Sequence, residues 1–213
     1  MILWVSIIFV VIRNLRRFTY EKPNVSGNYL LLIAHPDDES MFFAPTLMNL
    51  RGRIRIICLS KGDYMSDGEV RSKEMINLCS KYRFELIFGN LKDNHDWDPQ
   101  DIVNILFVTY LLDPFKILIT FDSHGVSGHK NHISCYYGAK SFSKLVPCRT
   151  MFLKSTNLIS KYGVLYNSSK LTYTLSFRQY FNSIIMMSYH YSQLKWFRLI
   201  YMAFSNYMSY NLY

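Results

Sequence analysis

Two short stretches hold most of the residue types that hydrolytic chemistry needs. "AHPDDE", residues 34–39, sets an imidazole beside three carboxylates, and "FDSHGVSGHKNH", residues 121–132, adds three more histidines. His35 and Asp38 lie on either side of Pro36, whose ring fixes the backbone, so both can turn toward one point. A hard carboxylate and a borderline imidazole are a natural pair of zinc ligands. Asp37, between them, cannot share their direction, which leaves it to face the reacting water as general base. Acids at a helix N-terminus would also favour the helix dipole. That accounts for Asp37 or Asp38, but not for the histidine and all three acids together. A catalytic metal typically takes three protein ligands, so the first stretch needs a donor from elsewhere. His129 and His132, spaced i, i+3 behind Gly125 and Gly128, offer it. One can complete the site while the other stays close enough to steady an oxyanion or move a proton. An HxxH pair alone is weak evidence, and it gains its force from sharing an edge with the first stretch.

That shared edge follows from the order of elements. The runs 29–34, 54–60, 85–89 and 116–121 are short, continuous and apolar, as strands buried on both faces should be. Each precedes a helix-like segment, at 39–51, 69–82, 99–112 and 130–144. Strand and helix in alternation predict an α/β fold: a Rossmann-like, doubly wound, mostly parallel sheet with helices on both faces. Ligands of such sheets bind beyond the carboxyl ends of the strands, where both polar stretches fall. After residue 145 the pattern weakens. "RTMFLKS" and "LTYTLSF" read as a hairpin or edge strands, and 179–213 as aromatic-rich and helical.

The 213 residues suit one catalytic domain, here expected at 19–213 behind a hydrophobic anchor at 1–18. Half the residues are apolar, 16% aromatic and only 18% charged, with a net charge of +9 spread along the chain. Such a surface favours anionic partners, membrane or nucleic acid. The aromatics are not interleaved with Lys and Arg as a nucleic-acid stacking platform requires, which argues against that class. Residues 2–12 are apolar and run into Arg13, Arg16 and Arg17, too short for a standard span of about 20 residues but placed to keep the rest of the chain in the cytosol. Near the C-terminus, Trp196, Phe197, Ile200, Tyr201 and Phe204 stand beside Lys195 and Arg198, as in an interfacial helix or a core-packing one. The four cysteines show no framework spacing and read as thiols in a reducing compartment.

"AHPDDE" after a first strand, with a later "GVSGHKNH", resembles the zinc-dependent de-N-acetylases of N-acetylglucosamine conjugates, the LmbE-like superfamily. "MFFAPT" (41–46), "DGEVRSKE" (67–74) and "HYSQLKWFRLIYMAFSNYM" (190–208) bring the likeness closer to its eukaryotic branch, which acts on N-acetylglucosaminylphosphatidylinositol in GPI-anchor synthesis. The resemblance implies zinc or another divalent metal on His35, Asp38 and His132. It makes Asp37 the general base and His129 the residue that steadies the tetrahedral intermediate. Substrate contacts would come from Arg71, from Asp93 or Asp96 in "LKDNHDWD", and from Ser127, which stands where bacterial relatives carry a tyrosine. Arg71 could instead be a helix-face charge paired with Glu69 or Glu74. His124 reads as a surface residue. The implied partners are a glycolipid and a membrane, with no nucleic acid, and the implied setting is a monomer on the endoplasmic reticulum membrane facing the cytosol. Two alternatives stand beside this one: a deacetylase of a soluble N-acetylglucosaminyl conjugate, and a basic membrane-binding relative without catalysis.

Overall fold

A computed structural model describes residues 26–65, 67–163 and 172–213, so the apolar segment at 1–18 lies outside the described residues. Among the described residues, no helix is long and apolar enough to cross a membrane. The chain forms two compact units, one of Val25–Asp38 with Arg51–Ser155, the other including Glu39–Leu50 with Thr156–Tyr213.

The first unit is built on a five-stranded sheet of β1 (Ser26–Ile33), β2 (Arg51–Cys58), β3 (Glu85–Phe88), β4 (Ile117–Phe121) and β5 (Arg149–Leu153), in the order β3-β2-β1-β4-β5. All four pairings are parallel, with Leu31 opposite both Ile56 and Ile119. Leu30 to Ala34 and Leu118, Ile119 and Phe121 are fully buried, which is why these strands show no alternation in sequence. β3 lies at an edge and does alternate between exposed and half-buried. Helices α1 (Gly68–Tyr82), α2 (Pro99–Leu112) and α3 (Lys130–Phe142) surround the sheet and match the expected spans closely. α2 starts with Pro99 at its first turn, and the Asp98 side chain accepts from the Gln100 amide. "RTMFL" is the parallel edge strand β5. The hairpin alternative fails because "TYT" pairs elsewhere. The strand order reverses between β1 and β4, and the crevice there opens at the ends of the two strands that precede "HPDDE" and "DSHGVSGHKNH".

In the second unit, β6 (Thr172–Thr174) and β7 (Tyr210–Leu212) pair antiparallel, and helices α4 (Phe177–Ser188) and α5 (Trp196–Phe204) lie between them in sequence. The expected helix at 39–51 is two single turns, Asp38–Met41 and Ala44–Leu47. Pro45 is the reason, since it has no N–H for the Met41 carbonyl. The Tyr201 hydroxyl donates to that carbonyl instead, at 3.0 Å. Asn211 ties the same turns down, accepting from the Thr46 amide and hydroxyl and donating to the Phe42 carbonyl. Glu39 is fully buried with its Oε1 2.6 Å from His190 Nε2. Burial opposes its ionisation, but the charge and hydrogen bond of His190 hold the carboxyl below its usual range.

Candidate metal centre

His35, Asp37, Asp38, Arg71, Asp93, His129 and His132 all belong to the sheet unit. Asp38 folds back over its own loop, its Oδ2 accepting from the amides of Ala34 at 3.1 Å and His35 at 2.8 Å. The same oxygen lies 3.5 Å from His35 Nδ1, while Oδ1 lies 3.2 Å from His132 Nε2. One buried carboxylate therefore bridges both stretches singled out from sequence. His132 is oriented from the other side. Its Nδ1 lies 3.0 Å from the Gly125 carbonyl, and its ring stacks on Phe121 at 4.0 Å. A carbonyl partner fixes the proton on Nδ1, so Nε2 presents a lone pair inward.

His129 caps α3, its Nδ1 accepting from the Asn131 amide at 3.3 Å. The ligand nitrogens of His35, His129 and His132 all lie within 4.8 Å of one another, two of the rings buried and one half-buried. Borderline nitrogens with a hard carboxylate between them suit a divalent ion of the zinc type. His129 belongs to this cluster as well as the three ligands expected from sequence. Asp38 and Asp93 surround the imidazoles with negative charge. Burial works against a charge on His35, but Asp38 and Asp93 overcome it and push its pKa up to about 10. Burial, and after it the neighbouring His35, pulls His129 down to about 4. Burial also opposes ionisation of Asp38, yet His132 and His35 hold it well below the carboxylate range.

Asp37, between the two bridged residues in sequence, is buried. It adopts φ 114°, a region L-residues rarely occupy, and its Oδ2 sits 3.5 Å from Arg71 Nη2. Arg71 is buried. It donates to the Pro36 carbonyl at 2.7 Å and the Gly62 carbonyl at 3.1 Å, and it lies 4.0 Å from Asp93. Arg71 therefore faces the site. Glu69, one of its two suggested helix partners, pairs with Lys61 instead. Asp93 Oδ1 is 2.9 Å from His35 Nε2, inside the crevice, whereas Asp96 is exposed and paired with Lys130 at 3.0 Å. Ser127 is exposed at the rim, its Oγ 3.4 Å from His132 Nδ1. His124 stays on the surface.

Several positioning residues carry no signal that sequence reasoning would weigh. The Asn131 side chain accepts from the Asn94 amide and donates to the His95 carbonyl, pinning the loop that carries Asp93. Trp97 donates from its indole to the Lys92 carbonyl and lies 6.2 Å from the His35 ring. Asp122 accepts from the Ser155 amide and hydroxyl, and Ser155 Oγ accepts from the Val126 amide, which holds the histidine loop. Gly62 sits at φ +68°, where a Cβ would meet the Arg71 guanidinium at 2.4 Å.

Solved structures place this fold. The chain superposes on a deacetylase of the teicoplanin biosynthetic pathway with a TM-score of 0.62 and 12% identity, over 78% of this chain and 82% of that one. It also superposes on N,N'-diacetylchitobiose deacetylase from Pyrococcus horikoshii, with a TM-score of 0.59 and 12% identity, over 92% and 84%. A 4-carboxy-2-hydroxymuconate hydratase from Pseudomonas shares it too, at a TM-score of 0.53, so the fold alone does not fix the chemistry. The fold is thus one that deacetylases share with other enzymes, and in this chain it carries a histidine-rich centre able to hold a metal.

Sequence comparison goes further. Residues 30–143 match the profile of the PIG-L family, GlcNAc-PI de-N-acetylase. The chain is 34% identical to bovine N-acetylglucosaminyl-phosphatidylinositol de-N-acetylase, over 89% of this chain and 83% of the relative. It is 35% identical to the probable enzyme of that name from Schizosaccharomyces pombe, over 86% and 84%. The chain belongs to the GlcNAc-PI de-N-acetylase family.

Proposed function

We propose that this chain hydrolyses the N-acetyl group of N-acetylglucosaminylphosphatidylinositol, releasing acetate and the free glucosaminyl lipid. The observation that carries the reading is the bridge of Asp38 between His35 and His132, with His129 beside them, in a chain so similar to enzymes named for that activity. His35, Asp38 and His132 would hold a divalent metal, zinc by the chemistry of the donors, which when bound acidifies water and polarises the acetyl carbonyl.

The chain's own residues do the rest. Asp37 accepts the proton of the attacking water, and Arg71 keeps its carboxylate aimed. His129 accepts at Nδ1 from the Asn131 amide, which leaves its proton on Nε2. A neutral imidazole in that tautomer donates a hydrogen bond to the oxyanion, and the proton that Asp37 has taken from water passes to the leaving nitrogen as the C–N bond breaks. Asp93, Arg71 and the rim hydroxyl of Ser127 contact the sugar and phosphate; Asp96, exposed and bound to Lys130, is the weakest member of that set.

The setting proposed is the cytosolic side of the endoplasmic reticulum membrane, with residues 1–18 as anchor and a single chain as the catalytic unit. Incubation of metal-loaded protein with the lipid substrate should release acetate, and chelator should stop it. Equal turnover of the lipid and its water-soluble headgroup would move the assignment to a soluble conjugate. No acetate from either would refute the enzyme reading.

A further inference from the structure

The second unit exposes large apolar side chains along two of its helices. On α4, Phe177, Phe181 and Ile185 recur every fourth residue and all lie outward, while Tyr180, Ser183 and Met187 take the buried side. On α5, Trp196 is 74% exposed and Leu199 54%, with Ile200 beside them, while Tyr201 and Met202 are buried. The two helices belong to one structure, because the Tyr180 hydroxyl donates to the carbonyls of Met202 and Ala203. Of the two readings that the aromatic C-terminal segment allowed, core packing accounts for one side of α5 only.

The charges on these helices name the partner. Arg178 on α4 and Lys195 at the start of α5 are both exposed, and α4 and α5 together carry no Asp or Glu. Outward aromatics and aliphatics flanked by cations, on short amphipathic helices, are how a protein lies in the headgroup region of a bilayer. Each cation near an anionic surface adds to the attraction. A second copy of this face would bring like charges together, whereas an anionic lipid surface complements them.

We propose that the outward faces of α4 and α5 form a bilayer-docking surface selective for anionic phospholipid, separate from any anchoring by residues 1–18. The lipid class rests on the function proposed above; the docking itself does not.

The test uses the full chain carrying Ile200→Cys, labelled with a fluorophore sensitive to its surroundings, and Lys81→Cys on α1 as the reference. Both proteins are bound to vesicles of phosphatidylcholine with phosphatidylinositol, and binding is verified by co-sedimentation. The label at 200 should shift to the blue and lose at least half of its quenching by an aqueous quencher, with the label at 81 unchanged. A label at 200 that stays as quenched on sedimented vesicles as in solution would overturn the surface. So would one already protected before vesicles are added, which would mark self-association. Equal shifts on pure phosphatidylcholine would overturn the charge selectivity. In a second arm, Trp196→Ser with Ile200→Ser should raise KM for the vesicle-borne lipid about tenfold, leaving kcat unchanged. Loss of all activity in the parent protein would refute the function and leave the label result standing.

Discussion

Asp37 holds a backbone conformation that glycine adopts freely and aspartate does not, and it holds it next to the guanidinium of Arg71. Strain of this kind costs on the order of 1–3 kcal/mol and survives where the surroundings impose it. Asp37→Gly should therefore leave thermal stability equal or higher while turnover disappears. Asp37→Asn, which keeps the shape, should retain metal by elemental analysis and lose at least about 100-fold in rate. A variant with near-normal acetate release would overturn the base assignment. Gly62→Ala works in the opposite sense, because its Cβ must displace Arg71; it should cost about 1–3 kcal/mol in chemical denaturation and reduce activity with it. At this scale the sequence reveals what is chemically rare. Histidines and acids crowded into two loops announce themselves, but Asn131, Ser155 and Gly62 are ordinary residues whose parts depend on what folds against them. Asp93 and Asp96 illustrate the limit. Both are acids of one loop, and only the pinning of that loop by Asn131 and Trp97 decides which one faces inward.

Elements were legible where local chemistry and tertiary demand agree. The buried strands announce themselves as unbroken apolar runs, and Asp98-Pro99 marks the start of α2. The helix expected over 39–51 fails at Pro45, whose disruption is repaired by Tyr201, a residue far along the chain that no local window contains. α1 ends at Arg83 in the left-handed conformation, φ 59°, with its amide donating to Cys79 and Ser80 carbonyls. Glycine fits that position without a Cβ penalty, so Arg83→Gly should gain about 1 kcal/mol in denaturant titration. At the β2/β3 edge, Arg53 grips Glu85 through two hydrogen bonds of 2.6 Å. That grip holds the Glu85 carboxyl below its usual range. A depressed carboxylate stabilises the fold above its ordinary pKa and loses that contribution as pH falls through the folded value. The pair is about half exposed, so Glu85→Gln should cost under about 1 kcal/mol at neutral pH and nothing measurable in strong acid.

For the whole molecule, an ion bound to the native centre and not to the unfolded chain adds to stability by mass action. With the ion at about 100-fold its Kd, the gain is about 2.7 kcal/mol. Chelator should lower the melting temperature, and restoring zinc should recover it; a melting curve indifferent to both would mean that the cluster does not hold metal. Overall charge and the aromatic-rich C-terminal segment pointed to an anionic surface, but composition gives no direction. Only the folded second unit shows that Phe181 and Trp196 are turned outward.

The candidate ligands of the centre come from β1's loop and from the start of α3, after strands that become neighbours only across the sheet's reversal. During synthesis the ribosome must deliver His132 before Asp38 can find its second imidazole, by which time β1, β2 and β3 have already emerged. If the centre holds an ion as proposed, capture follows assembly of the sheet's first strands, and a cell starved of metal should accumulate assembled but idle apoprotein in place of fragments arrested early in folding.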